Sequence, residues 1–186
     1  VLWEDGWPIL GIDGKVPVNL ALPASRGLSP GIVASDNFKR RRGERPLPLV
    51  WQWNHNPDNK FWSFTQRKGH LRLTTGRVDT SFVSARNTLT QRTFGPVCEG
   101  STLIDVRNMK EGDFAGLALL QRKFGQVGVK YENGSKKIVM VSAQTERPVE
   151  VESVPLSGNT VYLKAECDFR DRADTAAILY TGGTTG

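Results

Sequence analysis

At 186 residues the chain is long enough for one domain, or one domain and part of another, and can bury a core without disulfide or metal staples. Its 38% hydrophobic and 24% charged residues fit a soluble globular chain, and no apolar run approaches the ~20 residues that cross a membrane, so neither a transmembrane helix nor a signal peptide is read. The net charge of +6 is local: Lys39, Arg40, Arg41, Arg42 and Arg45 against Glu44 carry +4 of it, in a Pro- and Gly-flanked run that reads as a solvated loop rather than a nucleic-acid surface.

Residues 1–15 hold Trp3, Trp7 and two Gly-centred turns, which predicts an ordered, tightly turning segment. From 16 to 35 the chain is rich in Pro, Gly, Ala and Ser without a sustained period and reads as an extended linker. Asp36-Asn37-Phe38 then opens a second domain, 36–186.

Three of the five tryptophans fall between Trp51 and Trp62, around the polar turn Asn54-His55-Asn56-Pro57-Asp58-Asn59. Trp51 and Trp53 are two apart, so on a strand both rings project from one face. Rings beside amides suit a sugar, whose apolar face stacks on a flat ring while amides pair with its hydroxyls. Trp51, Trp53, Asn54, His55 and Trp62 are therefore candidates for a carbohydrate or domain contact. The competing reading is that most of these rings fill the core and that Asn54 and His55 are structural, with satisfied partners.

The rest of the chain is strand-like. His70–Thr74 and Thr160–Lys164 alternate, and 100–106, 114–120 and 176–180 are further candidates. Asn133-Gly134, between Gln126–Glu132 and Ser135–Val141, predicts a hairpin, because both turn residues accept positive φ. Short strands with no helical period between them give an all-β sandwich.

Catalytic and metal signatures are lacking. There is no Gly-rich phosphate loop, no His-Glu-x-x-His and no Gly-x-Ser-x-Gly, and Cys98, Cys167, His55 and His70 have no zinc spacing. The two cysteines leave a disulfide and two separate thiols equally open. Glu150 and Glu152 share a strand face, yet the alternating valines mark a solvent-facing strand rather than the opposed carboxylates of a glycosidase.

Trp3-Glu4-Asp5-Gly6-Trp7-Pro8-Ile9-Leu10-Gly11, Asp36-Asn37-Phe38, Trp51-Gln52-Trp53-Asn54-His55-Asn56-Pro57, Trp62-Ser63, Gly69-His70-Leu71-Arg72-Leu73, Leu89-Thr90-Gln91-Arg92-Thr93 and Gly112-Asp113-Phe114-Ala115-Gly116-Leu117 together resemble the C-terminal part of glycoside hydrolase family 43 β-xylosidases and α-arabinofuranosidases. The resemblance implies a concanavalin A-like antiparallel β-sandwich behind a catalytic propeller of the same polypeptide, with 1–15 the propeller's tail and Trp3 and Trp7 its contacts. It implies an accessory role in xylan breakdown, with xylan or xylo-oligosaccharide as ligand or with scaffolding alone, and no catalytic residue in this segment. Family members run on past the position of Gly186, so a sandwich strand is expected to be missing, leaving an unpaired edge. Carbohydrate-related sandwiches often hold calcium, for which Asp36 is a candidate donor; no ligand cluster accompanies it, and metal stays unassigned.

Overall fold

A computed structural model describes residues 2–9, 11, 15, 31–41, 44, 46–79, 81–121, 123–145, 147–170 and 177–185. The chain divides into two compact units, 1–30 and 31–186. In the first, β1 (Leu2–Glu4) and β2 (Trp7–Ile9) pair antiparallel across Asp5 and Gly6, whose φ values of 49° and 82° are those an Asp-Gly hairpin turn requires. Most of the expected linker, 16–30, lies outside the described residues.

The second unit starts with short pieces: β3 (Gln52–Trp53), β4 (Trp62–Ser63), β5 (Arg72–Leu73) and β6 (Val78–Asp79). Longer strands follow: β7 (Leu89–Arg92), β8 (Val97–Asp105), β9 (Phe114–Leu120), β10 (Gly125–Glu132), β11 (Ser135–Ser142), β12 (Val149–Pro155), β13 (Thr160–Asp168) and β14 (Ala177–Thr185). The main sheet runs β12-β11-β10-β9-β14-β7-β3, with β6 added to β14, while β8 pairs β13 and β4 pairs β5. Among the described residues the only helical pieces are two three-residue 3-10 turns, Asn59–Phe61 and Phe82–Ser84.

Alternation along β9 explains how both faces of the main sheet are used. Leu117 packs with Leu163 of β13 and with Ile104, Leu119, Val127, Ile138, Val161 and Ala165, which makes the core between sheet and β8–β13 ribbon. Its neighbour Ala118 points the other way, into a cluster with Phe82, Phe124 and Ala143. The ribbon alternates in the same manner: Leu163 and Cys167 are buried, whereas Tyr162, Lys164 and Glu166 are exposed.

The predicted hairpin forms with Glu132 opposite Ser135 and with Asn133 and Gly134 at φ 53° and 72°. The expected alternating strand over 70–74 shrinks to Arg72–Leu73, and the strand expected near 176–180 extends to Thr185. That last strand lies at the centre of the sheet, bonded to β9 on one side and β7 on the other. The edges are β12 and β3. Glu150 and Glu152 sit on edge strand β12, where all seven residues are exposed, the valines included; Glu150 lies 3.8 Å from Lys130 Nζ. With nothing over either face of this edge strand among the described residues, it shows no inside, which is why the valines do not bury as alternation suggests.

Gly116 and Gly128 oppose each other in the middle of β9 and β10. A Cβ on Gly116 would come within 2.3 Å of the Val127 oxygen and 2.5 Å of Gly128 Cα, both backbone atoms that move only if the strands part. Gly116→Ala is therefore expected to destabilise the fold by about 3 kcal/mol. Chemical denaturation of the variant beside the parent chain checks this, and a change below about 0.5 kcal/mol would show that the strands part freely.

Candidate functional site

The aromatic stretch is organised by one carboxylate. Asp36 Oδ1 accepts from the Phe38 amide at 2.7 Å and from Arg40 Nη1 at 2.8 Å, and Oδ2 accepts from Arg40 Nη2 at 2.6 Å and from Trp51 Nε1 at 2.9 Å. The Asx-type bond to its own loop holds Phe38 at φ 54°, a left-handed conformation that a phenylalanine rarely adopts. The Arg40 guanidinium then lies 4.9 Å from the Phe64 ring centroid and 5.9 Å from that of Phe38. Burial pushes the Asp36 carboxyl up, but Arg40, the Phe38 amide and the Trp51 indole outweigh it and hold it below its usual value. With its two oxygens each accepting two bonds, this carboxylate is committed within the fold. Among the described residues no three His, Cys, Asp or Glu side chains gather as a metal site.

From this node a row of rings runs to the predicted site. Trp51 to Phe38 is 5.8 Å, Phe38 to Phe64 5.8 Å, Phe64 to Trp62 5.5 Å and Trp62 to Trp53 5.3 Å. Trp51, 7% exposed, is a core residue. Trp53 and Trp62 are half-buried, and the Trp62 indole donates to Asn59 Oδ1 at 2.9 Å.

The polar turn works inward. Asn54 Nδ2 donates to the Val83 carbonyl at 3.0 Å, and His55 Nε2 approaches the same oxygen at 2.9 Å. A carbonyl has no proton to give, so Nε2 carries the hydrogen. These two side chains hold the Phe82–Ser84 turn, whose Phe82 covers one face of the sheet.

Two buried amides that the sequence reading did not single out complete the frame. Asn87, 4% exposed and at φ 58°, accepts from Asp58 N at 2.8 Å and donates to Asp58 O at 3.0 Å. Gln91 does the same to Ala34, accepting at 2.9 Å and donating at 2.8 Å. Each amide stands in for one rung of a β-ladder. The signal that could have found them is a strand entry made almost wholly of amides and threonines, Asn87-Thr88-Leu89-Thr90-Gln91, whose polar groups need partners if the strand is buried.

Beside this frame lies an open cleft of about 270 Å³, lined by Gln52, Trp53, Asn54, Thr90, Gln91, Arg92 and Leu120. The hydroxyl of Thr90 is taken by the Gln52 carbonyl at 2.9 Å. The Gln52 amide and the Arg92 guanidinium are exposed and have no partner among the described residues. A flat ring, a free amide and a free guanidinium thus share one cleft, and the donors can serve hydroxyl oxygens while the ring supplies an apolar face. A second cavity, about 60 Å³ between Asp58, Phe61, Thr75, Arg77 and Asn87, has room for little more than water. Of the five predicted site residues, Trp53 and Asn54 border the cleft, Trp62 supports Trp53, and Trp51 and His55 are turned to internal contacts. In the first unit Trp7 is 73% exposed.

The Asp36 node gives a pH test. Because the folded carboxyl titrates below its usual 3.8, its contribution is complete above about pH 4 and is lost as pH falls through the lower folded value. Asp36→Asn is expected to cost about 3 kcal/mol at neutral pH, since the Arg40 side chain, 16% exposed, keeps a charge with its partner gone. It should also remove part of the acid transition seen by tryptophan fluorescence. An acid midpoint and neutral stability equal to the parent's would show that Asp36 does not anchor the rings.

Comparison with known proteins places this geometry. Residues 35–184 match the family model of the beta xylosidase C-terminal concanavalin A-like domain, GH43_C2. A beta-xylosidase of Formosa agariphila is 30% identical over 97% of this chain and 33% of its own length. A putative beta-xylosidase of Xylanibacter ruminicola is 33% identical over 68% of this chain and 24% of its own. Among solved structures, the bifunctional GH43-CE protein of Bacteroides eggerthii is 53% identical with a TM-score of 0.81, over 99% of this chain and 28% of that one. The chain thus spans a third or less of the length of each. It belongs to the GH43_C2 family, the C-terminal concanavalin A-like domains of family 43 xylosidase- and arabinofuranosidase-type enzymes.

Proposed function

We propose that this domain packs on the catalytic propeller of its own polypeptide, in an enzyme acting in xylan breakdown, and that the cleft beside Trp53 takes xylan or xylo-oligosaccharide. The observation that carries the sugar reading is the pair Gln52 and Arg92, without a side-chain partner among the described residues, next to the half-buried Trp53 ring in an open cleft. Neutral sugars offer hydroxyl oxygens to such donors and C–H faces to such rings. The two carboxylates that share a cavity, Asp58 and Asp79, are committed, Asp79 to Arg77 at 2.6 Å and Asp58 to the Lys60 amide at 3.1 Å; on this reading the domain binds and positions, and bond cleavage falls to the propeller. Packing on that propeller is supported by the exposed Trp7 ring in the first unit, a large apolar surface of the kind that a neighbouring domain covers. A calcium ion held elsewhere in the domain remains part of the proposal, with no donor set assigned.

Scaffolding alone, with no sugar bound, is the second reading. It is favoured by the inward use of Trp51, Asn54 and His55, three of the five residues that first suggested a sugar platform.

Calorimetric titration with xylohexaose separates the two. Saturable heat is expected, weakened about tenfold in Trp53→Ala and in Arg92→Ala. The exposed Arg92 leaves the core untouched, so its variant keeps the test sharp if Trp53→Ala loosens the ring row. Absence of heat in a sample with the parent's circular dichroism would overturn the sugar reading and leave the scaffold.

A further inference from the structure

Cys98 and Cys167 face each other directly across β8 and β13. Both thiols are free, Cys167 buried and Cys98 half-buried. The ladder around them defines the kind of pair they form. Phe169 N donates to the Pro96 oxygen at 2.7 Å and Val106 N to the Asn159 oxygen at 2.8 Å, and bonded pairs recur at every second residue of an antiparallel ladder. Cys98 and Cys167 stand two residues in from the first of these bonds, so they occupy a hydrogen-bonded position. There the Cα atoms lie about 5.5 Å apart, inside the ~4.4–6.8 Å span of disulfide-linked residues. The alternation of β13 turns Leu163 and Cys167 inward, so the sulfurs sit on the inner side of the ribbon beside each other, Cys167 covered and Cys98 partly open to solvent.

We propose that Cys98 and Cys167 form an oxidation site that closes a reversible disulfide between β8 and β13 by exchange with a small disulfide such as oxidised glutathione. The Cys98 thiolate, the more accessible, attacks one sulfur of the oxidant; one glutathione leaves as its thiolate and a mixed disulfide remains on Cys98. Cys167 then gives its proton to solvent, its sulfur attacks Cys98 Sγ, and the second glutathione leaves. Two protein thiols are oxidised and one glutathione disulfide is reduced to two thiols, which balances the exchange. Burial above all, then the charge and hydrogen bond of Cys98, pushes the Cys167 thiol up to about 12, so the closing step quickens as pH rises. Cβ atoms of a bonded pair must draw in by up to ~1 Å to make the bond, which leaves it easily reduced. The bond staples the second layer of the sandwich, and the chain it encloses contains β9, β10, β11 and β12.

The test incubates the reduced protein with oxidised glutathione at neutral and alkaline pH, blocks remaining thiols with an alkylating reagent in denaturant, and weighs the product. A monomer with neither thiol blocked, two hydrogen atoms lighter and without glutathione, is expected, and it should form faster at the higher pH. Its thermal midpoint should rise by about 5 °C, and dithiothreitol should reverse both changes. Cys167→Ser should instead keep glutathione on Cys98 as a stable adduct. Two blocked thiols in the folded parent after incubation, a lasting glutathione adduct on the parent, or a disulfide-linked dimer would each overturn the proposal.

Discussion

The Asp36 carboxylate is the constraint on which the aromatic region depends. It lies 8% exposed beside a guanidinium that is itself mostly buried, and such a pair is favourable only when its remaining lone pairs are filled. Here they are: the Phe38 amide and the Trp51 indole take the positions that Arg40 leaves. One group therefore fixes a backbone turn, a tryptophan rotamer and a cation over two rings. The same charge that counted toward a basic loop in composition is, at Arg40, a structural element. Trp53 inherits its placement at the end of this row through Trp62, Phe64 and Phe38, four rings away from the carboxylate's own indole partner.

Strand β7 links that region to the centre of the sheet. Leu89 is fully buried and pairs with Trp53, Thr90 and Arg92 face the cleft, and Gln91 clamps the chain at Ala34. On its other side β7 is bonded to β14, which is bonded to β9. A four-residue strand thus carries core, clamp and cleft in turn. Rigid placement of the exposed donors follows from this, since a cleft residue flanked by buried neighbours has little backbone freedom of its own.

What the sequence disclosed and what it hid divide by the range of the interaction. The 125–142 hairpin was legible because Asn133-Gly134 states its turn locally, and β9 was legible because its residues are apolar enough to be buried on both faces. The family was legible from short ordered motifs. The roles of Asn54 and His55 were not, because their partner is a carbonyl in the Phe82–Ser84 turn, about thirty residues on, and carbonyls have no side-chain signature. The clamps on Asp58 and Ala34 span 29 and 57 residues and are invisible for the same reason. Placement of β14 between β9 and β7 also escaped, because a Gly- and Thr-rich strand gives no sign that it is central.

The division between structural and available polar groups is the last step toward function. Amides and indoles are the residue types that both a sugar site and a buried clamp require, so residue type alone cannot separate the two uses. Partner counts do. Asn54 Nδ2, His55 Nε2, the amides of Asn87 and Gln91 and the Trp62 indole bond within the domain, whereas Gln52 and Arg92 offer donors to solvent at the mouth of the cleft. A ligand that binds there gains hydrogen bonds without breaking any that hold the fold. Displacing Asn54 from Val83 would instead free the turn that carries Phe82. On the proposed reading, recognition is confined to the few groups that the architecture leaves unspent, and the aromatic and amide side chains of the Trp51–Trp62 stretch mainly hold the fold around them.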